Sequence, residues 1–214
     1  PGGALPGTAD LVFVPYVERM NASLAYFKGF ALRQEHPAID RWFDALEQLA
    51  TYRGTQSDVH THAHDLPPQM GGCWSNGCPE QQAMAHAVDH GAGLAALETG
   101  WSAEMTDDGV TFSERALERV LRHRSVLMAR NPLGVAFDQP LRAALTYMMS
   151  GTLCQTNPDA AIGLRYLRDR ISVPRDMPLL SARLLRNVLE ATAALDGEAQ
   201  PDSPPVEHRF DQDP

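Results

Sequence analysis

The chain has 214 residues and a mass of 23.5 kDa, enough for one large domain or two small ones with a buried core. Hydrophobic residues make up 43% and charged residues 21%, which excludes bulk disorder but leaves room for a disordered tail. A net charge of −9 and a pI near 5.3 argue against a general nucleic-acid binder.

Apolar residues recur with the helical period almost everywhere and strand signals are nearly absent, so the sequence predicts an all-α fold of about seven helices. The first helix is expected from Thr8 to Lys28. Gly7 serves as a weak N-cap, and Asp10 falls at N3, where a carboxylate favours the helix start. Leu11, Val14, Val17 and Leu24 are its expected buried stripe. Pro15 predicts a kink or a delayed start, and Gly29 a stop. The second helix is expected from Pro37 to about Tyr52, with Ile39, Trp42, Phe43, Leu46 and Leu49 on one face and Trp42 and Phe43 as core anchors. Residues 54–79 read as a linker loop, broken by Pro67-Pro68, Gly71-Gly72 and Asn76-Gly77.

A third helix begins near Pro79 and carries Met84, Val88 and Leu94, weakened by Gly91 and Gly93. A fourth begins at Thr111, which forms a Ser/Thr-x-x-Glu capping box with Glu114, and stops at Asn131-Pro132. A fifth follows Asp138 with Leu141, Leu145, Met148 and Met149. A sixth runs from Asn157-Pro158 to about Ile171. A seventh runs from Pro178 to Leu195, with Leu180, Leu184, Val188 and Leu195 on one face and Gly197 as its stop. Residues 198–214 are acidic and proline-rich, with Glu198, Asp202, Glu207, Asp211 and Asp213 against Arg209, and read as a flexible tail. The organisation is therefore helices over 1–53, a linker over 54–79, a helical extension over 80–197 and the tail.

Several clusters carry candidate chemistry. His60, His62 and His64 alternate; in an extended segment they would point to one side and could hold Zn²⁺ or Cu²⁺. The spacing matches no zinc module, and a polar loop whose histidines bond backbone carbonyls is the simpler reading. His86 and His90, four apart on a helix, could share a metal or serve as an axial ligand; surface histidines are the simpler reading. Arg115, Arg119 and Arg122 form a basic stripe on an acidic protein, suited to an anionic partner. Against that stands a solvated face with Glu118 and Arg122 paired four apart. Arg165, Arg168, Arg170 and Arg175, interleaved with Asp169 and Asp176, read as structural ion pairing between the sixth and seventh helices. Asp107-Asp108 sit in a loop without an identifiable partner. No nucleotide-binding loop, GxSxG elbow or Cys-His-Asn arrangement is present, so no catalytic residue is assigned.

The sequence starts at Pro1, so either a leader was removed or the sequence begins inside a longer protein. No stretch reaches the roughly 20 apolar residues of a membrane span. Cys73 and Cys78 could pair, and Cys154 reads as a buried free thiol; so few cysteines fit a reducing or redox-variable compartment.

Two segments carry a resemblance. Gly7-Thr8-Ala9-Asp10 through Arg19, with its internal proline, resembles the Ser-x-x-Asp capping helix of the glutathione S-transferase C-terminal domain, Gly7 standing where that family has serine. His36-Pro37-Ala38-Ile39-Asp40-Arg41-Trp42-Phe43 onward resembles the helix that follows it. Asp58 to Gln69 and Arg165 to Met177 resemble a narrower group, plastid-type proteins of that family from algae and plants. The resemblance implies a plastid location, stromal or peripheral to a membrane. It also implies a thioredoxin-like domain that binds glutathione and supplies the activating residue. No residue of that domain is in this chain, so no glutathione site can be carried over; glutathione enters only with an upstream domain. Three readings stand. The first is a non-catalytic docking module in a larger, thylakoid-associated photosynthetic assembly. The others are the C-terminal piece of a glutathione S-transferase-like enzyme and a carrier of a small ligand or pigment.

Overall fold

A computed structural model describes residues 5–89 and 109–196, and everything below concerns those residues. They hold ten α-helices and two 3-10 turns, more than the seven helices expected, and there is no β-strand among them, as the periodicity predicts. They fall into two compact units, one built from the residues up to 89 and one from those after 109.

In the first unit α1 spans Thr8–Lys28. Its start is fixed as expected: the Asp10 carboxylate accepts the Gly7 N–H at 2.8 Å, satisfying one of the amides a helix start leaves unpaired. Pro15 lies inside the helix without delaying its start. Gly29 ends it in the left-handed conformation. The expected buried stripe is corrected. Leu11 is exposed, Val14, Val17 and Leu24 are only half-buried, and burial falls instead on Ala22, Ala25, Tyr26 and Phe27 in the last two turns.

A short α2, Leu32–Glu35, was not expected. The second expected helix divides into α3, Pro37–Glu47, and α4, Ala50–Thr55. No glycine or proline marks the break, because the cause is tertiary. Glu47 is fully buried and bonded to Arg33 and to Gln56 beyond α4, so the chain turns at Leu49 to bring Gln56 back. Phe43 is a core anchor at 2% exposure. Trp42 is half-buried, and its indole N–H donates to Asp10 Oδ1 at 2.8 Å, tying α3 to the start of α1.

The loop expected over 54–79 is corrected as well, since α5 occupies Val59–Met70. Asp58 caps it, accepting the Thr61 N–H at 2.8 Å, and Gly71 closes it. Pro67 and Pro68 fall in its last turn, where neither can donate a bond back to the carbonyl four residues earlier, and the helix closes within three residues of them. After the segment 71–78 comes α6, Pro79–Asp89. Both α5 and α6 pack on α1. Their shared core holds Ala22, Ala25, Phe27, Val59, Ala63 and Val88.

In the second unit α7 spans Phe112–Arg130, and its capping box forms as expected: Thr111 N donates to Glu114 Oε2 at 2.9 Å and Glu114 N to Thr111 Oγ1 at 3.2 Å. After a 3-10 turn, Gly134–Phe137, come α8, Asp138–Ser150, and α9, Ala160–Arg170, the latter starting two residues beyond Asn157-Pro158. The last helix, α10, spans Leu179–Ala193 and continues into a 3-10 turn, Ala194–Asp196. It packs on α7, α8 and α9 and is the centre of the unit. Its fully buried line is Ala182, Leu185, Leu189 and Ala193, with Leu179 beside it; Val188 is buried as expected, while Leu180, Leu184 and Leu195 are half-buried. Each fully buried leucine contributes about 1.5–3 kcal/mol. His90, Gly91, Gly93, Leu94, Asp107-Asp108, Gly197 and the tail 198–214 lie outside the described residues.

Candidate functional site

The basic stripe of α7 follows from the helix's own division of faces. Ala116, Val120 and Met128 turn inward to the core. The outward side carries Arg122, Leu121 at 53% exposure and Val126 at 57%. Arg119 is half-buried, its Nε 3.6 Å from Glu118 Oε2, and Arg122 pairs with the same carboxylate. The expected pairing of Glu118 with Arg122 therefore forms, yet one carboxylate serves two guanidinium groups and the spot keeps a net positive charge. Arg115 is half-buried one turn nearer the helix start and has interactions of its own. Over its length α7 holds five arginines against two glutamates, on a chain of net charge −9. Arg124 is committed elsewhere: its Nε donates to Asp138 Oδ1 at 3.0 Å, and Arg142 reaches Asp138 Oδ2 at 3.0 Å. The Arg124 hydrogen bond, foremost, holds the Asp138 carboxyl below its ordinary range. The arrangement offers a helix face of exposed apolar side chains beside arginines, suited to binding rather than to bond making.

A second exposed surface was not anticipated. Along the first two-thirds of α1, Val12, Phe13, Tyr16 and Met20 share one side of the helix and are all exposed. The sequence signal for it was available: these positions form a stripe at helical spacing separate from Leu11, Val14 and Val17.

The histidine cluster is placed differently from its expected geometry. Because residues 59–70 are helical, His60, His62 and His64 do not share a side. His60 and His64 lie one turn apart with ring centroids 4.7 Å apart, both buried. His64 Nε2 sits 2.9 Å from Asp89 Oδ1, and the Tyr26 hydroxyl donates to both oxygens of that carboxylate, at 3.1 and 3.0 Å. His62 turns to Glu18, whose other oxygen accepts the Tyr52 hydroxyl at 2.9 Å and the Ser57 N–H at 3.3 Å. Burial first, then the Glu18 charge, pushes the Tyr52 hydroxyl far up, so it stays protonated and donates. Both networks join α5 to its neighbours as packing contacts. Among the described residues no group of three or more histidines, cysteines or acids is placed to hold a metal. His86 is exposed on α6.

Cys73 is exposed, Cys78 is half-buried, and both are free thiols. Cys154, expected in a buried helical position, is half-buried beyond the end of α8, because Gly151 closes that helix in the left-handed conformation.

The basic cluster of the second unit is structural, as expected, but its hub is Glu190 of α10, which the spacing did not single out. Arg165 donates to Glu190 through Nε at 3.1 Å and Nη2 at 2.8 Å, Arg168 bonds the same carboxylate, and Arg175 pairs with Asp176 at 2.9 Å. Burial alone would raise the Glu190 carboxyl; the two arginines outweigh it and hold the group below its ordinary range. Arg170 stacks over Tyr166 at 3.8 Å. In the first unit, buried Arg33 meets Asp40 Oδ1 at 2.6 Å, Asp44 Oδ1 at 2.9 Å and Glu47 Oε1 at 2.9 Å. Comparison with protein-family models, with curated proteins and with solved structures yields no match.

Proposed function

We propose that the chain is a non-catalytic helical docking module that binds an acidic partner through the outward face of α7. The observation that carries this reading is the pairing of Arg119 and Arg122 with a single carboxylate beside the exposed Leu121 and Val126. An acidic segment meeting that face gains charge-assisted bonds to both arginines and covers apolar surface at the same time. A plastid location and a larger photosynthetic assembly, thylakoid-associated, form part of the proposal on the strength of the sequence resemblance alone.

A labelled polyglutamate peptide is the probe for this reading, titrated against the full chain by fluorescence anisotropy. Raising salt from roughly 20 mM to 300 mM should weaken binding about tenfold or more, because exposed charges are screened within about 10 Å. Arg122→Glu should abolish binding at an unchanged melting temperature. Salt-insensitive binding, or none, would remove α7 from the model. Turnover of glutathione with an electrophile by the purified chain would overturn its non-catalytic part.

The apolar stripe on α1 favours a second reading, the C-terminal piece of a glutathione S-transferase-like enzyme. The thioredoxin-like domain and the helices that follow it would then cover Val12, Phe13, Tyr16 and Met20. A transcript encoding such a domain upstream of Pro1, and conjugation activity of its product, would establish it.

A further inference from the structure

We propose that the exposed stripe of α1 is a self-association face, on which α1 of a second copy of this chain packs antiparallel. The pairing concerns the first unit alone and rests on neither reading of function above. Spacing supplies the first argument. Ala9, Phe13, Tyr16 and Met20 are all exposed and follow one another at steps of four, three and four residues, the alternation of a two-helix seam. With a twofold axis between Phe13 and Tyr16, each Phe13 meets Tyr16 of the second copy, and each Ala9 meets Met20 of the second copy. The small residue faces the long one, the two aromatic layers take the centre, and the contact closes on two copies. Val12 and Arg19 flank one edge of this seam, where the Arg19 stem covers Val12 of the second copy.

Area supplies the second argument. Tyr16 is 69% exposed, Phe13 59%, Val12 53% and Met20 44%. With Ala9 these residues present about 500 Å² of surface per copy, so a pair buries about 1,000 Å², enough for a specific interface but short of the roughly 1,600 Å² of a standard one. The assembly is therefore a weak, reversible dimer. Charge supplies the third. A chain of net charge −9 repels its own copies, so a self-association face must keep its acids out of the contact. Over residues 8–20 the acids are Asp10 and Glu18, and both are engaged within the first unit. Asp10 accepts the Gly7 N–H and the Trp42 indole N–H, and Glu18 accepts the Tyr52 hydroxyl and the Ser57 N–H. Arg19 is the exposed charge of that stretch. The face of α7, with its excess of arginines, would instead repel a copy of itself.

Sedimentation velocity of the full chain from about 1 to about 300 µM reads the assembly, since a weak dimer forms by mass action. The average mass should climb from the monomer towards the dimer. Salt raised from roughly 20 mM to 300 mM should tighten the dimer about threefold, because it screens the repulsion between copies. Tyr16→Glu should weaken it at least about tenfold, at an unchanged dichroism melt recorded where both proteins are monomeric. A monomer at every concentration leaves the stripe to another occupant and overturns the proposal. A dimer that ignores Tyr16→Glu, or that salt dissolves, lies on another face and overturns it too. Disulfide trapping reads the orientation, in a full-length background carrying Cys73→Ser, Cys78→Ser and Cys154→Ser. Ala9→Cys and Met20→Cys proteins should cross-link when mixed. Neither should link to itself, because like positions of the antiparallel pair stand about 16 Å apart along the seam, beyond disulfide reach. Self-linking by either protein alone would mean parallel helices and overturn the pairing, as would a mixture that fails to link at concentrations where the dimer forms.

Discussion

Arg33 is the side chain on which the packing of α3 and α4 turns. Its guanidinium is buried and faces three carboxylates, of which Glu47 is fully buried. Burial works against the charge on Arg33, but the bonds from Glu47 and Asp40 outweigh it and hold the group above its ordinary value. Burial pushes the Glu47 carboxyl up, against the pull of Arg33 and Gln56. Removing the arginine alone strands Glu47 in the core. Arg33→Met should therefore cost about 3–5 kcal/mol in urea unfolding, whereas Arg33→Met with Glu47→Met should cost much less, since an apolar pair of similar volume carries no desolvation penalty. Equal losses in the two proteins would show that the pair's geometry, not its charge, supports the fold. The sequence offered little sign of this network, because Arg33, Glu47 and Gln56 are brought together by a turn at Leu49 that no residue there announces. The Asp10 contact with Gly7 was legible, since the capping spacing is local. The bond from Trp42 to the same carboxylate joins residues 32 apart and was not.

At the scale of the helix, what was legible depended on whether a stop was also a contact. Capping signals placed the starts of α1 and α7 closely. The largest miss was α5, where Pro67-Pro68 and the glycines after it outweighed Asp58, a good N-cap nine residues earlier. Two helix-closing glycines separate the backbone role from the packing role. Gly29 and Gly151 have similar positive φ values, 67° and 69°. A Cβ on Gly151 would meet nothing within 4 Å, whereas one on Gly29 would lie 2.4 Å from the backbone nitrogen of Gln81 at the start of α6. Gly151→Ala should cost only the left-handed strain, about 1 kcal/mol. Gly29→Ala adds an overlap with backbone that cannot rotate away, and should cost at least ~2 kcal/mol more and loosen α6 from α1. Thermal melts of the two variants side by side measure the difference; equal shifts would mean that α6 has room to move.

At the scale of the chain, the hydrophobic core forms two separate clusters, which bears on how the protein unfolds. Phe27, Val59 and Val88 belong to one, and Val120, Leu164 and Leu185 to the other. Composition alone left one domain or two open, and helical periodicity could not decide, because a helix's apolar face does not say which other face it will meet. The linker expected over 54–79 was therefore misplaced: α5 lies within that stretch and packs into the first unit's core. Separate cores imply separate cooperative transitions unless a large interface couples them. Trp42 and Trp74 lie in the first unit, and the described part of the second contains no tryptophan. Trp101 lies outside the described residues, so in a Trp101→Phe background indole fluorescence follows the first unit while far-ultraviolet circular dichroism follows both. Leu185 is fully buried at the centre of the second unit. Leu185→Ala should destabilise that unit by about 2–5 kcal/mol, advancing part of the dichroism transition in urea while the fluorescence midpoint stays where it was. A fluorescence midpoint that moves by the same amount would mean that the two cores melt as one.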